Sequence, residues 1–283
     1  MIPRVDGLVK AVLSPPRSLS RFSPFHHQHP IHGTTVLITG ASQGIGETTA
    51  HAFAEHGATV ILVARDADRL DAVRDAITAA GGRADAVVAD LTDDAGVDAL
   101  VATVTERFGT PDILVNNAGR SIRRSVVDTV DRFHDYERTM AINYFGAVRL
   151  TTALLPAMIE RGSGQIINVV TWGVVAGSMP KFAAYHASKA ALAAFGRSLD
   201  DELSGTGVTV SNIGFPLVRT PMIAPTTDYD DAPALDPDDA AAWIIRAAHT
   251  RQPEIYPRYA ELLRAVSAVS PRVTGRLIRA IGI

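Results

Sequence analysis

Tyr185 and Lys189 stand four residues apart in Tyr185-His186-Ala187-Ser188-Lys189. On a helix of about 3.6 residues per turn, that spacing stacks both side chains on one face and brings a phenol beside an ammonium. At about 4 Å and an effective dielectric near ~20, a fixed positive charge favours the phenolate by roughly 4 kcal/mol, lowering a tyrosine pKa by about three units. A tyrosine so placed would exchange protons near neutral pH. The same spacing is also common on surface helices that do no chemistry, so the pair has to be read with the segments that would position it.

Thr34 to Thr39 (TTVLIT) reads as a short buried strand, and Gly40-Ala41-Ser42-Gln43-Gly44-Ile45-Gly46 follows it and opens a helical run to His56. Glycines suit a backbone that turns tightly against a ligand, and the free N–H groups of a helix start favour a pyrophosphate. The spacing Gly-x-x-x-Gly-x-Gly is not the dinucleotide fingerprint Gly-x-Gly-x-x-Gly, but its place between strand and helix points to a nucleotide.

Read together, these residues resemble the short-chain dehydrogenase/reductase family, over residues 34 to 222. Thr39 to Gly46 is similar to the family's Thr-Gly-x-x-x-Gly-x-Gly loop, Asp90-Leu91-Thr92 to its adenine-side turn, and Asn116-Asn117-Ala118-Gly119 to its motif after the fourth strand. Tyr185 to Lys189 falls on its active-site motif, and Asn143 falls on its catalytic asparagine. The resemblance implies a nicotinamide cofactor held by Gly40, Ser42, Gln43, Gly44, Ile45, Gly46, Asp90, Asn117, Ala118 and Gly119, with Tyr185 moving a proton. Lys189 would hold the nicotinamide ribose, and Asn143 would hold a water that links the lysine to solvent.

Three positions depart from the family pattern. Thr171 stands where the family has a serine; it keeps a hydroxyl, with rotation restricted by its methyl group. If Thr171 cannot point inward, the chain is a nucleotide-binding scaffold without turnover. Leu217 replaces a glycine in Pro216-Leu217-Val218-Arg219-Thr220, the segment expected to contact the nicotinamide amide through Pro216 and Thr220. At the end of the second strand, Ala64-Arg65 stands where an acidic residue would hold the ribose hydroxyls of NAD; Arg65 suits the extra phosphate of NADP(H), although Gln43 brings no basic group to the glycine loop. The expectation is NADP(H) in preference to NAD(H). Pro216 to Thr226 also resembles a bacterial subgroup acting on long-chain acyl or lipid-like carbonyl compounds.

The elements that must carry these residues alternate. Strands are expected at Thr59–Ala64, Ala84–Ala89, Asp112–Val115, Gln165–Val170 and Val208–Ile213. Helices are expected at Asp68–Ala80, Asp94–Phe108, about 131–160, and Phe182–Leu203. Such alternation gives parallel strands with helical crossovers: an α/β fold, a single doubly wound Rossmann-like sheet with helices on both faces and ligands at the carboxyl ends of its strands. The stretch 220–235, rich in Pro, Thr and Asp, is expected to be a loop over the site, and Asp236 to cap a helix with Pro237 in its first turn. Trp172, Val174, Val175, Met179 and Phe182 suggest an apolar pocket for a carbonyl or alcohol substrate. Homo-oligomers form in the family through the helices holding Asn143 and Tyr185, and Ala190, Ala194 and Leu199 offer a face for that.

The chain has 283 residues, 47% of them hydrophobic, enough for one sizeable core. It has no cysteine, which excludes disulfides, thiolate nucleophiles and thiolate metal sites. The net charge of -3 argues against nucleic acid as a partner. Charge is uneven: residues 1–32 carry +3 and 258–283 carry +4, so the intervening catalytic domain, 33–257, carries -10. Prolines at 3, 15, 16, 24 and 30 break the N-terminal extension, so it lacks a secretory apolar stretch, and no apolar run is long enough to span a membrane. A cytoplasmic enzyme is expected. In the C-terminal tail Val273, Leu277 and Ile281 recur at i, i+4, i+8 beside Arg272, Arg276 and Arg279. This basic amphipathic pattern suits a peripheral membrane contact, the domain itself or a second subunit equally. His26, His27, His29 and His32 lack a carboxylate cluster and read as a solvated linker, with no metal site.

Overall fold

The computed structural model describes residues 12–15, 29–224, 226, 229 and 231–280. Seven parallel strands form one sheet in the order β3-β2-β1-β4-β5-β6-β7. They are β1 (Thr35–Thr39), β2 (Thr59–Ala64), β3 (Arg83–Val88), β4 (Ile113–Asn116), β5 (Gly164–Thr171), β6 (Val208–Phe215) and β7 (Glu254–Ile255). The reversal of strand order between β1 and β4 opens a crevice at their carboxyl ends, which is where a parallel sheet of this kind binds ligands. β1 reads TVLIT and β5 is buried along its whole length, as strands covered on both faces must be.

The crossover helices on the first half are α1 (Gly44–Glu55), α2 (Ala67–Ala79) and α3 (Asp94–Phe108). Asp66 and Asp93 start α2 and α3 by accepting the backbone N–H groups of Arg69 and Gly96, which satisfies donors that the first turn cannot pair internally. On α2, Leu70, Val73 and Ile77 form the buried stripe. Asp236 flanks the helix Pro237–Thr250 with Pro237 in the first turn, as expected, but its side chain makes no capping bond.

The stretch expected as one helix from 131 to 160 is α4 (His134–Met140), a π-turn (Ala141–Phe145) and α5 (Gly146–Arg161), running without a break. By length and composition alone this helix, His134–Arg161, is apolar enough to cross a membrane, although no unbroken apolar run in it reaches that length. Here it lies against the sheet, with Leu150, Leu154 and Met158 in the core. After β5 come the short α6 (Gly173–Ala176) and the long α7 (Ala183–Glu202), and after β6 the helix α8 (Pro237–Thr250). Leu199 is not available to a second subunit, because it belongs to the chain's own core, while Ala194 remains exposed.

The C-terminal tail is two helices, α9 (Arg258–Val269) and α10 (Pro271–Ala280). They pack onto the domain through Ala260, Leu263 and Ile278, against Trp172 and Val175. The buried positions on α10 are Thr274 and Ile278, so of the three expected uses of the Val273 and Leu277 face packing on the domain is excluded: both are exposed, and Ile281 lies outside the described residues. His29 is no free linker residue either, since its backbone pairs with His249 through both N–H and carbonyl. The His32 ring lies over Gly57; His26 and His27 lie outside the described residues.

Candidate active site

The glycine loop is shaped by close backbone contacts. Gly40 and Gly44 have φ of 65° and 60°, which only glycine takes without strain. A side chain on Gly46 would sit 2.2 Å from the Gly40 carbonyl oxygen and 2.6 Å from Asn117 Nδ2. Asn117 locks that contact from β4: its Nδ2 donates to the Thr39 and Gly40 carbonyls, and Thr39 Oγ1 accepts from the N–H groups of Asn117 and Ala118. Gln43 precedes α1 without capping it, so no side chain at the helix start occupies the first-turn N–H groups. A bare helix start beside a backbone cradle of this shape fits the pyrophosphate of a dinucleotide.

At the neighbouring strand ends, Arg65 lies 3.6 Å from Asp90 and is largely exposed. Burial alone would raise the Asp90 pKa, but the Thr92 N–H and hydroxyl, with Arg65, hold it below the usual carboxylate value. The Gln43 side chain accepts a 2.6 Å bond from Arg69, so a second guanidinium reaches the loop that Arg65 borders. Nothing in the sequence reading had pointed to Arg69, although it follows Arg65 at helical spacing.

Around the carboxyl ends of β4 and β5, Tyr185, Lys189, Thr171 and Asn117 line one cavity with Gly119, Ile45, Pro216 and Thr220. The cavity has a volume of about 490 Å³, within the range of small-molecule sites. Asn143 is fully buried in the π-turn, a local widening of the helix that often marks functional positions. Its Oδ1 accepts the Arg120 N–H at 2.8 Å, and its Nδ2 donates to the Arg120 carbonyl and to Ser188 Oγ, both at 2.9 Å. Ser188 Oγ in turn donates to the Tyr185 carbonyl at 2.7 Å, a link between the asparagine and the tyrosine helix that the sequence reading missed. A methyl group on Gly119 would come within 2.9 Å of Asn143 Oδ1 and 3.3 Å of Lys189 Nζ, so glycine keeps the gap between them open.

Electrostatics differ from the expectation for the pair. Lys189 Nζ donates to the Val169 carbonyl at 2.8 Å and is 3% exposed, and desolvation lowers its pKa to about 8. Burial pushes Tyr185 up to about 12; the Thr171 hydroxyl opposes that shift and Tyr229 adds to it. The expected lowering of the tyrosine by its lysine is thus absent from this geometry, because both groups are desolvated and the ammonium is turned toward the end of β5. Thr171 does face inward: it lines the cavity beside Tyr185 and donates a weak 3.8 Å bond to Met179 Sδ.

Leu217 does not need the freedom of a glycine, since among described non-glycine residues only Lys181 and Arg251 have positive φ. Its carbonyl accepts from Leu235, and Arg219 donates back to the Leu235 carbonyl, so both ends of the 220–235 segment are pinned together. From that segment Met222, Ile223 and Tyr229 reach the cavity. Of the five expected apolar walls, Trp172, Met179 and Phe182 line it, whereas Val174 and Val175 do not; Val175 is buried under the C-terminal helices. Arg120, Ser121 and Arg123 line it from the loop after β4. That loop is fastened to α4 by Arg124 on buried Asp135, whose pKa Arg138 and Arg132 hold down to about 2 against burial. Leu13 and Tyr259 also line the cavity, from segments that no motif had marked.

A family model of the short chain dehydrogenases matches residues 34–231, and the chain belongs to that family. It is accordingly a short-chain dehydrogenase/reductase, an oxidoreductase on a Rossmann-like fold. Among curated proteins it is 48% identical over 247 residues to a fatty acyl-CoA reductase of Mycobacterium tuberculosis, covering 87% of this chain and 84% of the relative. It is 47% identical over 248 residues to a fatty acyl-CoA reductase of Acinetobacter baylyi, covering 88% and 84%. Among solved structures, an actinorhodin polyketide ketoreductase with NADPH superimposes with a TM-score of 0.70 at 30% identity, covering 76% of this chain and 89% of that one.

Proposed function

We propose that this oxidoreductase uses NADP(H) to reduce an apolar, long-chain carbonyl compound to its alcohol, with Tyr185 supplying the proton. The observation that carries the reading is the single cavity in which Tyr185, Thr171 and Lys189 meet walls such as Trp172, Met179, Phe182 and Met222. Apolar walls of that extent favour an aliphatic body over a sugar-like one. The two fatty acyl-CoA reductases among its relatives support the same substrate class. Arg65 and the NADPH-bound ketoreductase neighbour support NADP(H).

A bound nicotinamide would supply the hydride to the carbonyl carbon. Its pyrophosphate would rest on Ser42 to Gly46, its adenine end near Asp90, and its nicotinamide end near Gly119, Pro216 and Thr220. Tyr185, kept neutral by burial, donates its O–H to the carbonyl oxygen, and the proton passes along that bond as the oxygen gains charge. Thr171 gives the same oxygen a second donor. Lys189 is an ammonium below about pH 8, held on the Val169 carbonyl beside the same cavity, where it would bond the nicotinamide ribose. Asn143 fixes the loop at Arg120 and the tyrosine helix at Ser188, and its remaining Oδ1 lone pair faces the gap before Gly119, where a water would connect Lys189 outward. The 220–235 segment is read as a lid that excludes water during transfer.

The test is a panel of straight-chain and cyclic carbonyl compounds followed by NADPH absorbance, with Tyr185→Phe alongside. Turnover of the longer chains is expected, with a loss of roughly 10² to 10⁴-fold in kcat for the variant and unchanged NADPH affinity. If the variant keeps wild-type rates, Tyr185 is not the proton donor. If the wild-type protein binds NADPH but turns over nothing, it is a nucleotide-binding scaffold.

A further inference from the structure

We infer that Leu13 sets the length of the apolar chain that the cavity admits, resting on the proposed function only for the kind of substrate. The family match begins at residue 34 and ends at 231, so both Leu13 and Tyr259 lie outside the matched segment. Both nonetheless line the cavity that holds Tyr185 and Thr171. Leu13 is 9% exposed, although Val12 beside it is 47% exposed, so the segment presents one side chain inward. It belongs to the same apolar cluster as Phe215, Val218 and Leu235, against which Tyr259 packs.

The placement is held from the backbone. The Arg258 N–H donates to the Ser14 carbonyl at 3.2 Å, tying the residue after Leu13 to the residue before Tyr259. The Tyr259 ring is fixed edge-on against Trp172, with centroids 5.2 Å apart. A leucine brings no donor, acceptor or charge, so its effect on a ligand in this cavity is steric. A chain that reaches Leu13 along the apolar walls must stop there or displace it, and displacing a packed side chain is costly. Chain-length preference is thereby assigned to a residue outside the segment that the family model matches.

The experiment uses the full chain as wild type, Leu13→Ala and Leu13→Trp. Two readouts are taken: kcat/KM for straight-chain aldehydes of graded length with NADPH, and displacement of a fluorescent fatty acid by unlabelled straight-chain acids of graded length. Expected is a shift of the preferred length upward for the alanine variant and downward for the tryptophan variant, with relative preference between neighbouring lengths changing about tenfold. Opposite shifts cannot come from loss of folding, which would lower all lengths together. If the wild type reduces aldehydes and both variants keep its length ranking, or both merely lose activity at every length, the inference is overturned while the proposed function stands. If nothing is reduced but the binding ranking shifts in the two directions, the inference holds and the proposed function fails. Absence of any binding or turnover of apolar chains overturns both.

Discussion

The two sides of the crevice are built by different means. On the β1 side the site is backbone: Gly40 and Gly44 in the left-handed region, Gly46 against the Gly40 carbonyl, and an asparagine tying β4 to the loop. On the β5 side it is side chains, gathered from β5, α7, the loop after β4, the segment after β6 and both tails. A backbone cradle tolerates almost no change at its glycines, whereas a side-chain wall can be rebuilt one residue at a time. The nucleotide side is thus the fixed half and the substrate side the adjustable one.

Thr171 lines the adjustable side beside Tyr185, and under the proposed function it gives the largest expected effect. Thr171→Ala removes the donor proposed for the carbonyl oxygen and should cost roughly 10² to 10³-fold in kcat, with NADPH affinity unchanged. Thr171→Ser should retain most of the rate. If alanine and serine behave alike, the hydroxyl has no part in the reaction. On the fixed side, Gly46→Ala forces a methyl group against backbone and should raise the NADPH Kd by about a hundredfold, measured by fluorescence titration. Normal NADPH binding by that variant would show that the loop yields, and the contrast between the two sides would fail.

Lys189 belongs to both sides, and pH separates its roles. Its folded pKa, about 8, lies below that of an exposed lysine because burial disfavours the ammonium. Below about pH 8 the fold therefore carries the cost of a buried charge, and stability rises with pH from there toward the range of the free side chain, where the unfolded chain alone holds the proton. The rate of carbonyl reduction should fall over the same range as the ammonium is lost. Lys189→Met should abolish that pH dependence of stability and raise the unfolding free energy at pH 7 by on the order of 1–3 kcal/mol, while activity collapses. A denaturant series across pH, run beside activity, reads both; parallel pH profiles for wild type and variant would remove Lys189 from the account.

Legibility in the sequence follows the same division. Gly40 to Gly46, Asn117, Tyr185 and Lys189 could be named as candidates because each needs one residue type at one spacing, and β2 and α3 fell at their expected limits because alternation of buried strands and amphipathic helices is local information. The π-turn at Asn143 was not legible, since one extra residue in a helix leaves the apolar period almost unchanged. The pKa of Tyr185 went the wrong way because spacing gives proximity but not burial. Leu13, Tyr229 and Tyr259 were invisible for a third reason: a residue that acts by shape at long range leaves no local pattern. Which face of α10 meets the domain was open on similar grounds, and it is Thr274 and Ile278, not Val273 and Leu277.

The smallest expected effect tests where the fixed side ends. Arg65 is 76% exposed and pairs loosely with Asp90, so its contribution is screened by water and belongs at the low end for a guanidinium on a phosphate. Arg65→Ala should raise the KM for NADPH by about tenfold and leave that for NADH unchanged, since only the former carries the extra phosphate. Arg65→Lys should recover part of the difference, a point charge replacing a planar fork. An equal loss for both cofactors would mean that Arg65 acts by holding Asp90 at the adenine end. A smaller loss, deepened by adding Arg69→Ala, would place the phosphate between the two arginines that flank Gln43, and a side-chain clamp would then complete a cradle otherwise made of backbone.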